Sequence, residues 1–350
     1  MHEPEQTAAP AHAPGAGVSA AAKVAFLRRP KSYPQDARRV DVVETHMSWV
    51  FLTATHAYKL KKPVAYENLD FRSLAARRHF CEEEVRLNRR LARETYCGTV
   101  PLTATPDGRL ALGGFGEPVD WLVKMLRLPA GRMLDRLIER GRLREPQLRN
   151  AILKLAEFYR AATPIETNPR DYLEQFAHEI RANQDHLTDP AYALPVGQIR
   201  AVCDAQRSFL KTRPEILQDR AAGRRIVEAH GDLRPEHICV EAEPQIIDCL
   251  EFHRAFRLLD PADELSFLAL ECERLGAGFA DAVIFDVYRQ VTDDAPPAAL
   301  RCFYKSFRAC VRTKVAIWHL RDDTVREPEK WPRLARTYLD LAARYAEALG

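Results

Sequence analysis

The sequence predicts an α+β protein of two lobes: a small N-terminal lobe with an antiparallel sheet and one helix, and a mainly helical C-terminal lobe interrupted by a short hairpin. Three observations predict it. Residues 23–128 read as short apolar strand runs interrupted by a single helical stretch. Beyond Gly131 the pattern changes to long amphipathic helices. Between those helices lies HGDLRPEHICV…QIIDCLEF, in which Asp232 and Asp248 sit at the ends of two short neighbouring apolar runs.

The elements follow in order. Residues 1–22 are rich in Ala and Pro, start acidic and lack an apolar run, which predicts a disordered tail rather than a signal peptide. The N-lobe spans 23–128, with strands expected at 48–53 and 57–61 and a helix over 73–93. Strands at 99–104 and 109–112 flank Thr105-Pro106-Asp107-Gly108, a hairpin signal. A last strand over 119–128 is ended by Pro129-Ala130-Gly131. The C-lobe, 129–350, is expected to hold helices at 131–140, 145–161, 170–186, 195–220, 261–275, 279–291, 296–320 and 330–348. Asp260-Pro261-Ala262-Asp263-Glu264-Leu265 has the form of a capped helix start, where Asp260 and Asp263 would cap the helix and brace the neighbouring loop.

Composition excludes several classes. Of 350 residues, 46% are hydrophobic and 29% charged, with net charge +3 and signs interleaved, so nothing argues for nucleic acid or a membrane as partner. No run approaches the ~18 apolar residues of a transmembrane helix. The eight cysteines are scattered without a CxxC pair, which speaks against zinc and thioredoxin chemistry and fits a reducing cytoplasm.

Two carboxylates on adjacent short runs suit a reaction that needs one base for a hydroxyl and one ligand for a nucleotide-bound metal. The segment resembles the catalytic stretch of the aminoglycoside phosphotransferase group, HGDLxxxN followed by an Ile/Val-Asp pair. The order of strands, helix, hairpin and strand before it matches the small lobe of a protein-kinase-like fold. The resemblance implies an ATP-dependent phosphotransferase acting on a hydroxyl of a small molecule. Asp232 would orient or take the acceptor proton, Arg234 would assist there or merely pair with Glu236, and Asp248 would hold Mg2+. The family's second metal ligand, Asn, is His237 here. An imidazole better suits a softer ion, so Mn2+ is the alternative.

A kinase-like small lobe also needs a strand lysine to grip phosphates and a helix glutamate to hold it. Ala57-Tyr58-Lys59 has the A-x-K spacing, with Lys61 on the same face; solvated edge-strand lysines are the plain alternative. Glu84 interrupts the apolar row Phe80, Leu87, Leu91, and a buried carboxylate there needs a cation; Glu83 is the fallback. No G-x-G-x-x-G precedes Lys59, which leaves Thr45 and Ser48 as weak candidates for phosphate contact. The adenine is expected against Met125-Leu126-Arg127-Leu128, mainly through backbone.

Read together, the stretch from Val43–His46 through Lys61–Val64, with Asn68–Phe71 and Arg77–Glu84, resembles an uncharacterised bacterial branch of this group, whose module often precedes a P-loop kinase domain. No G-x-x-x-x-G-K-[ST] occurs in this chain, so that domain is expected to be absent. On the acceptor side, Lys305, Arg308 and Arg312 fall on one helical stripe. Such a stripe is usually a solvated face; its functional reading is a cationic wall for an anionic acceptor, not for a polycationic aminoglycoside. His230 is expected to brace the loop by hydrogen bonding. The competing function is a catalytically silent nucleotide-binding module. A regulated protein kinase is disfavoured because Cys249-Leu250 follows Asp248 instead of Phe-Gly.

Overall fold

The computed structural model describes residues 17–34, 37–66, 69–321 and 327–350. It is an α+β fold with an N-terminal antiparallel sheet and a helical C-terminal part. Two compact units divide the chain. The first runs to Val85 and includes Tyr96–Arg127; the second holds Arg86–Thr95 and Leu128–Gly350.

Helix α1 (Ala20–Leu27) opens the described first unit. The Ser19 hydroxyl accepts the Ala22 amide at 3.2 Å, and the alanines that follow lose little entropy in a helix. The tail expected over residues 1–22 is therefore corrected: 1–16 lie outside the described residues, but Ala20–Ala22 are helical. The expectation of one helix in this lobe is corrected with it. Composition hid α1 because its anchor is remote in sequence: the buried Lys23 ammonium donates to Asp120 Oδ2 at 2.7 Å and Val119 O at 2.8 Å.

Strands β1 (Asp41–Glu44), β2 (Ser48–Leu52) and β3 (His56–Lys61) precede a short hairpin, β4 (Ala65–Tyr66) and β5 (Leu69–Asp70). Helix α2 (Leu74–Asn88) comes next, then β6 (Tyr96–Ala104), β7 (Leu110–Leu112) and β8 (Glu117–Leu126). The main sheet has the order β1-β2-β3-β8-β6-β7, antiparallel throughout. Alternation along β3 sends Tyr58 and Leu60 into a core with Leu27, Phe51, Leu102 and Leu122. Ala57, Lys59 and Lys61 take the opposite face. Helix α2 stops at Asn88, short of the expected 93, and the residues after it serve the second unit. There Arg90 donates to Glu228 O at 2.7 Å and Ala229 O at 2.9 Å, and Asn88 Oδ1 accepts the Cys249 amide at 2.9 Å.

The second unit begins with α3 (Leu134–Glu139), α4 (Glu145–Ala161), α5 (Pro169–Leu187), α6 (Val196–Thr212) and α7 (Pro214–Ala222). The helix expected over 195–220 is two helices. Pro214 cannot donate an amide and disfavours helical geometry before it, and Arg213 breaks out at φ −137°, ψ 48°. Short strands β9 (Val227–Glu228), β10 (Ile238–Cys239), β11 (Gln245–Ile246) and β12 (Leu258–Leu259) frame the Asp232–Asp248 segment. Helices α8 (Pro261–Arg274), α9 (Ala280–Thr292), α10 (Ala298–Trp318) and α11 (Lys330–Glu347) complete it. One apolar cluster includes Leu148, Ile152, Leu233, Ile238, Ile246, Leu265 and Leu268, so the segment rests on α4 and α8. Among the described residues no helix is long and apolar enough to cross a membrane.

Candidate functional site

Past β9 the chain turns through His230-Gly231-Asp232. Gly231 has φ +91°, and a Cβ there would meet Arg257 Cγ and Leu250 Cβ, each at 3.1 Å, so glycine is required. Buried Glu264, in the first turn of α8, fixes this backbone. Its two oxygens accept the His230 amide at 3.1 Å and the Gly231 amide at 2.6 Å, and the Tyr159 hydroxyl donates to it at 2.6 Å.

His230 ties the two aspartate segments together. Its Nε2 donates to Ile247 O at 2.8 Å while its Nδ1 accepts the Asp232 amide at 3.3 Å, a pattern that needs the neutral ring. Burial lowers its pKa accordingly. β10 and β11 pair with Ile238 opposite Ile246, and the Ile247 amide donates to His237 O at 2.9 Å. Asp248 follows at φ +63°, a left-handed conformation that Asp tolerates better than most residues.

His237 stands between the two carboxylates. Its Nδ1 donates to Asp232 O at 2.8 Å and lies 3.9 Å from Asp232 Oδ2; its Nε2 lies 3.5 Å from Asp248 Oδ2. The Asp232 side chain is 30% exposed and that of Asp248 44%. Arg234 covers Asp232 Oδ2 with Nη2 at 2.9 Å and Nε at 3.1 Å, and reaches Glu236 with Nη1 at 2.5 Å. Burial opposes the charge on Asp232, but Arg234, His237 and Arg312 outweigh it and hold its pKa down at about 2.

Among the described residues no three His, Cys, Asp or Glu side chains form a metal-binding group. Asp248 and His237 are the pair nearest to a divalent-cation site, since such ions at phosphates commonly take only one or two protein ligands; His237 Nε2 accepts from Arg234 Nη2 at 3.3 Å, a bond that a cation there would displace. The imidazole nitrogen shifts that fit from magnesium toward a softer ion.

Within the first unit, fully buried Glu84 accepts from Lys59 Nζ at 3.0 Å and from Lys61 Nζ at 2.6 Å. Lys59 keeps 14% of its side chain exposed and Lys61 none. Of the expected row, Glu84, Leu87 and Leu91 are buried and Phe80 is half-buried beside Phe71; Arg77 and Cys81 are buried as well. Met125 is buried in β8 opposite Ala57 and Tyr96. The Arg127 amide donates to Thr55 O at 2.9 Å and its guanidinium to Thr53 O at 2.7 Å, so a base reaching that amide must displace a bond. The Thr45 hydroxyl is engaged in a turn, accepting the Ser48 amide at 3.0 Å and donating to Ser48 O at 3.2 Å, and Ser48 is buried.

The basic stripe of α10 is neither a solvated face nor a continuous cationic wall. Lys305 Nζ lies 2.6 Å from Asp281 Oδ1, and Arg308 grips Asp263 with Nε at 2.7 Å and Nη2 at 2.5 Å. Arg308 is thereby corrected from acceptor contact to structural partner, because withdrawing it would strand a buried carboxylate. Arg312 differs: its nearest acid, Glu271 Oε1, is 3.8 Å from Nε. Asp260 caps α8 through the Ala262 amide at 2.9 Å and is held by Arg220 at 2.7 and 2.8 Å. The bracing role assigned to Asp263 belongs to its neighbour Glu264, which sequence reading did not single out.

No family model matches the chain. It is 34% identical over 281 residues to an uncharacterised protein of Mycobacterium tuberculosis, and equally to one of Mycobacterium bovis; each match covers 79% of this chain and 54% of the relative. The chain thus spans about half the length of the curated relatives it matches. Three solved structures share the fold. A choline/ethanolamine kinase family protein from Mesorhizobium loti has TM-score 0.51 and 16% identity, over 93% of this chain and 94% of that one. A choline kinase from Streptococcus pneumoniae has 0.51 and 14%, over 92% and 99%. A choline kinase from Cryptosporidium parvum has 0.52 and 9%, over 93% and 94%.

Proposed function

We propose that this chain transfers the γ-phosphoryl group of ATP to a hydroxyl of a small molecule. The observation that carries the reading is the convergence of Asp232 and Asp248 on one imidazole, with His237 Nε2 3.5 Å from Asp248 Oδ2 and Nδ1 3.9 Å from Asp232 Oδ2. The fold shared with a choline/ethanolamine kinase family protein and a choline kinase supports the reaction class.

In this reading the acceptor oxygen forms its bond to Pγ, the bond from Pγ to the bridging oxygen breaks, and its electron pair leaves with ADP. The hydroxyl proton passes to Asp232 and then to water. A carboxylate with a pKa of about 2 is a weak base, so its main work is to aim the hydroxyl; the proton moves late, as the acceptor oxygen becomes acidic. Arg234 holds Asp232 through Nε and Nη2 and Glu236 through Nη1, and would turn toward the transferring phosphoryl oxygens by releasing one of them. Asp248 and His237 would hold a divalent cation, Mg2+ or Mn2+, which when bound neutralises phosphate charge. Lys59, partnered by Glu84, is the phosphate-gripping lysine of the first unit.

One observation favours a silent nucleotide-binding module instead: Arg234 already occupies Asp232 Oδ2 with two nitrogens. ATP turnover with Mg2+ and with Mn2+, in the wild type and in Asp232→Asn, separates the two. The phosphotransferase reading expects at least a hundredfold loss in the variant. Equal turnover would remove Asp232 from the chemistry.

A further inference from the structure

We infer that the acceptor carries an anionic group, a carboxylate or a phosphate, received by the Arg312 guanidinium. The inference rests on the phosphotransferase reading and adds the substrate class to it.

Arg312 is an unusually placed cation. Its side chain is 17% exposed, yet among the described residues it makes no hydrogen bond, and its Nε is buried without a partner. A guanidinium has five donors, and one so far removed from water needs acceptors. The nearby acid does not supply them. Glu271 already accepts the Tyr338 hydroxyl on Oε1 at 2.7 Å, and takes Arg274 Nε and Nη2 on Oε2 at 2.9 and 2.8 Å. Arg308, one turn earlier on the same helix, shows the satisfied alternative in its two bonds to Asp263. The Tyr338 ring, 5.5 Å from the Arg312 guanidinium, gives it a wall to lie against.

Position supplies the second argument. Arg312 is among the charges that act on the Asp232 carboxylate, so its unpartnered guanidinium stands near the group that would aim the hydroxyl. A fork of this kind matches the paired oxygens of carboxylate or phosphate. A cationic acceptor such as choline would instead face Arg312 as a like charge.

The test is calorimetric titration of the full chain, with ADP and Mn2+ present, using glycerate, glycerol 3-phosphate and glucose 6-phosphate against glycerol, glucose and choline. At least one anion should bind over tenfold more tightly than its uncharged parent, and Arg312→Gln should abolish that advantage. Arg312→Lys keeps the charge but loses the fork, and covers the case in which the Gln variant does not fold; its affinity for the anion should fall while that for the uncharged parent holds. Preference for choline or the neutral parents, absence of binding by every anion, or unaltered anion affinity in the variants would each overturn the inference. The phosphotransferase reading fails by a separate signature, Asp232→Asn hydrolysing ATP as fast as the wild type.

Discussion

Gly231 donates its amide to Glu264 at 2.6 Å, which ties the turn before Asp232 to the first turn of α8. Glu264→Gln keeps the shape but turns an amide NH2 toward a backbone donor. It should cost about 2–3 kcal/mol in urea unfolding and lower turnover at least tenfold, because Asp232 loses its fixed position. A variant with wild-type turnover would show that the brace has no bearing on the reaction.

Lys59 and Lys61 share Glu84 but should divide their duties. Lys59→Met is expected to reduce ATP turnover by about a hundredfold with a small change in stability, since this lysine alone of the two reaches solvent. Lys61→Met should chiefly destabilise the fold, by about 3 kcal/mol, as one partner of a buried ion pair is removed. Steady-state kinetics and thermal melts of both variants decide it; a reversed pattern would make Lys61 the nucleotide ligand.

Asp232 makes stability depend on acid pH. Its carboxyl falls from the ordinary 3.8 to about 2 in the fold because Arg234, with His237 and Arg312, outweighs burial. A depressed carboxylate pKa stabilises above the unfolded value and loses that contribution as pH drops from about 4 through 2; a shift of this size is worth roughly 2 kcal/mol. Urea midpoints measured between pH 6 and pH 2 should fall less in Asp232→Asn than in the wild type. Parallel curves would mean that the arginine contact does not persist in solution.

Arg308 and Asp263 should behave as a unit. Burial raises the Asp263 pKa even with Arg308 opposing it, so Arg308→Met leaves a buried carboxylate without its counter-charge and should cost about 3–5 kcal/mol. Adding Asp263→Leu should recover much of that loss. Additive single effects in the double-mutant cycle would exclude the pair as an energetic unit.

Local patterns carried what the sequence could say. The Lys59–Glu84 contact follows from a two-residue strand period meeting a helical row, both visible within thirty residues or so. The convergence of Asp232 and Asp248 follows from two short runs too close to part. Features set by distant partners were not legible. Nothing near Lys23 announces Asp120, and nothing on α10 announces that Asp281 and Asp263 will neutralise its stripe. Asp263 and Glu264 differ by one position, about 100° around a helix, and only the packed orientation decides which one turns toward the loop. The break at Arg213 does have a local signal, Pro214, which disfavours helical geometry before it although the amphipathic pattern continues on both sides.

Every residue of α8 from Pro261 to Cys272 is buried, and its start is clamped by Asp260 on Arg220. Glu264 grows from that immobile stem. The entropy of holding the Asp232 turn is therefore surrendered once, when the chain folds, and is not demanded again at each encounter with a small molecule. A hydroxyl arriving there meets a template already set, and its own loss of freedom is the main ordering left to accomplish.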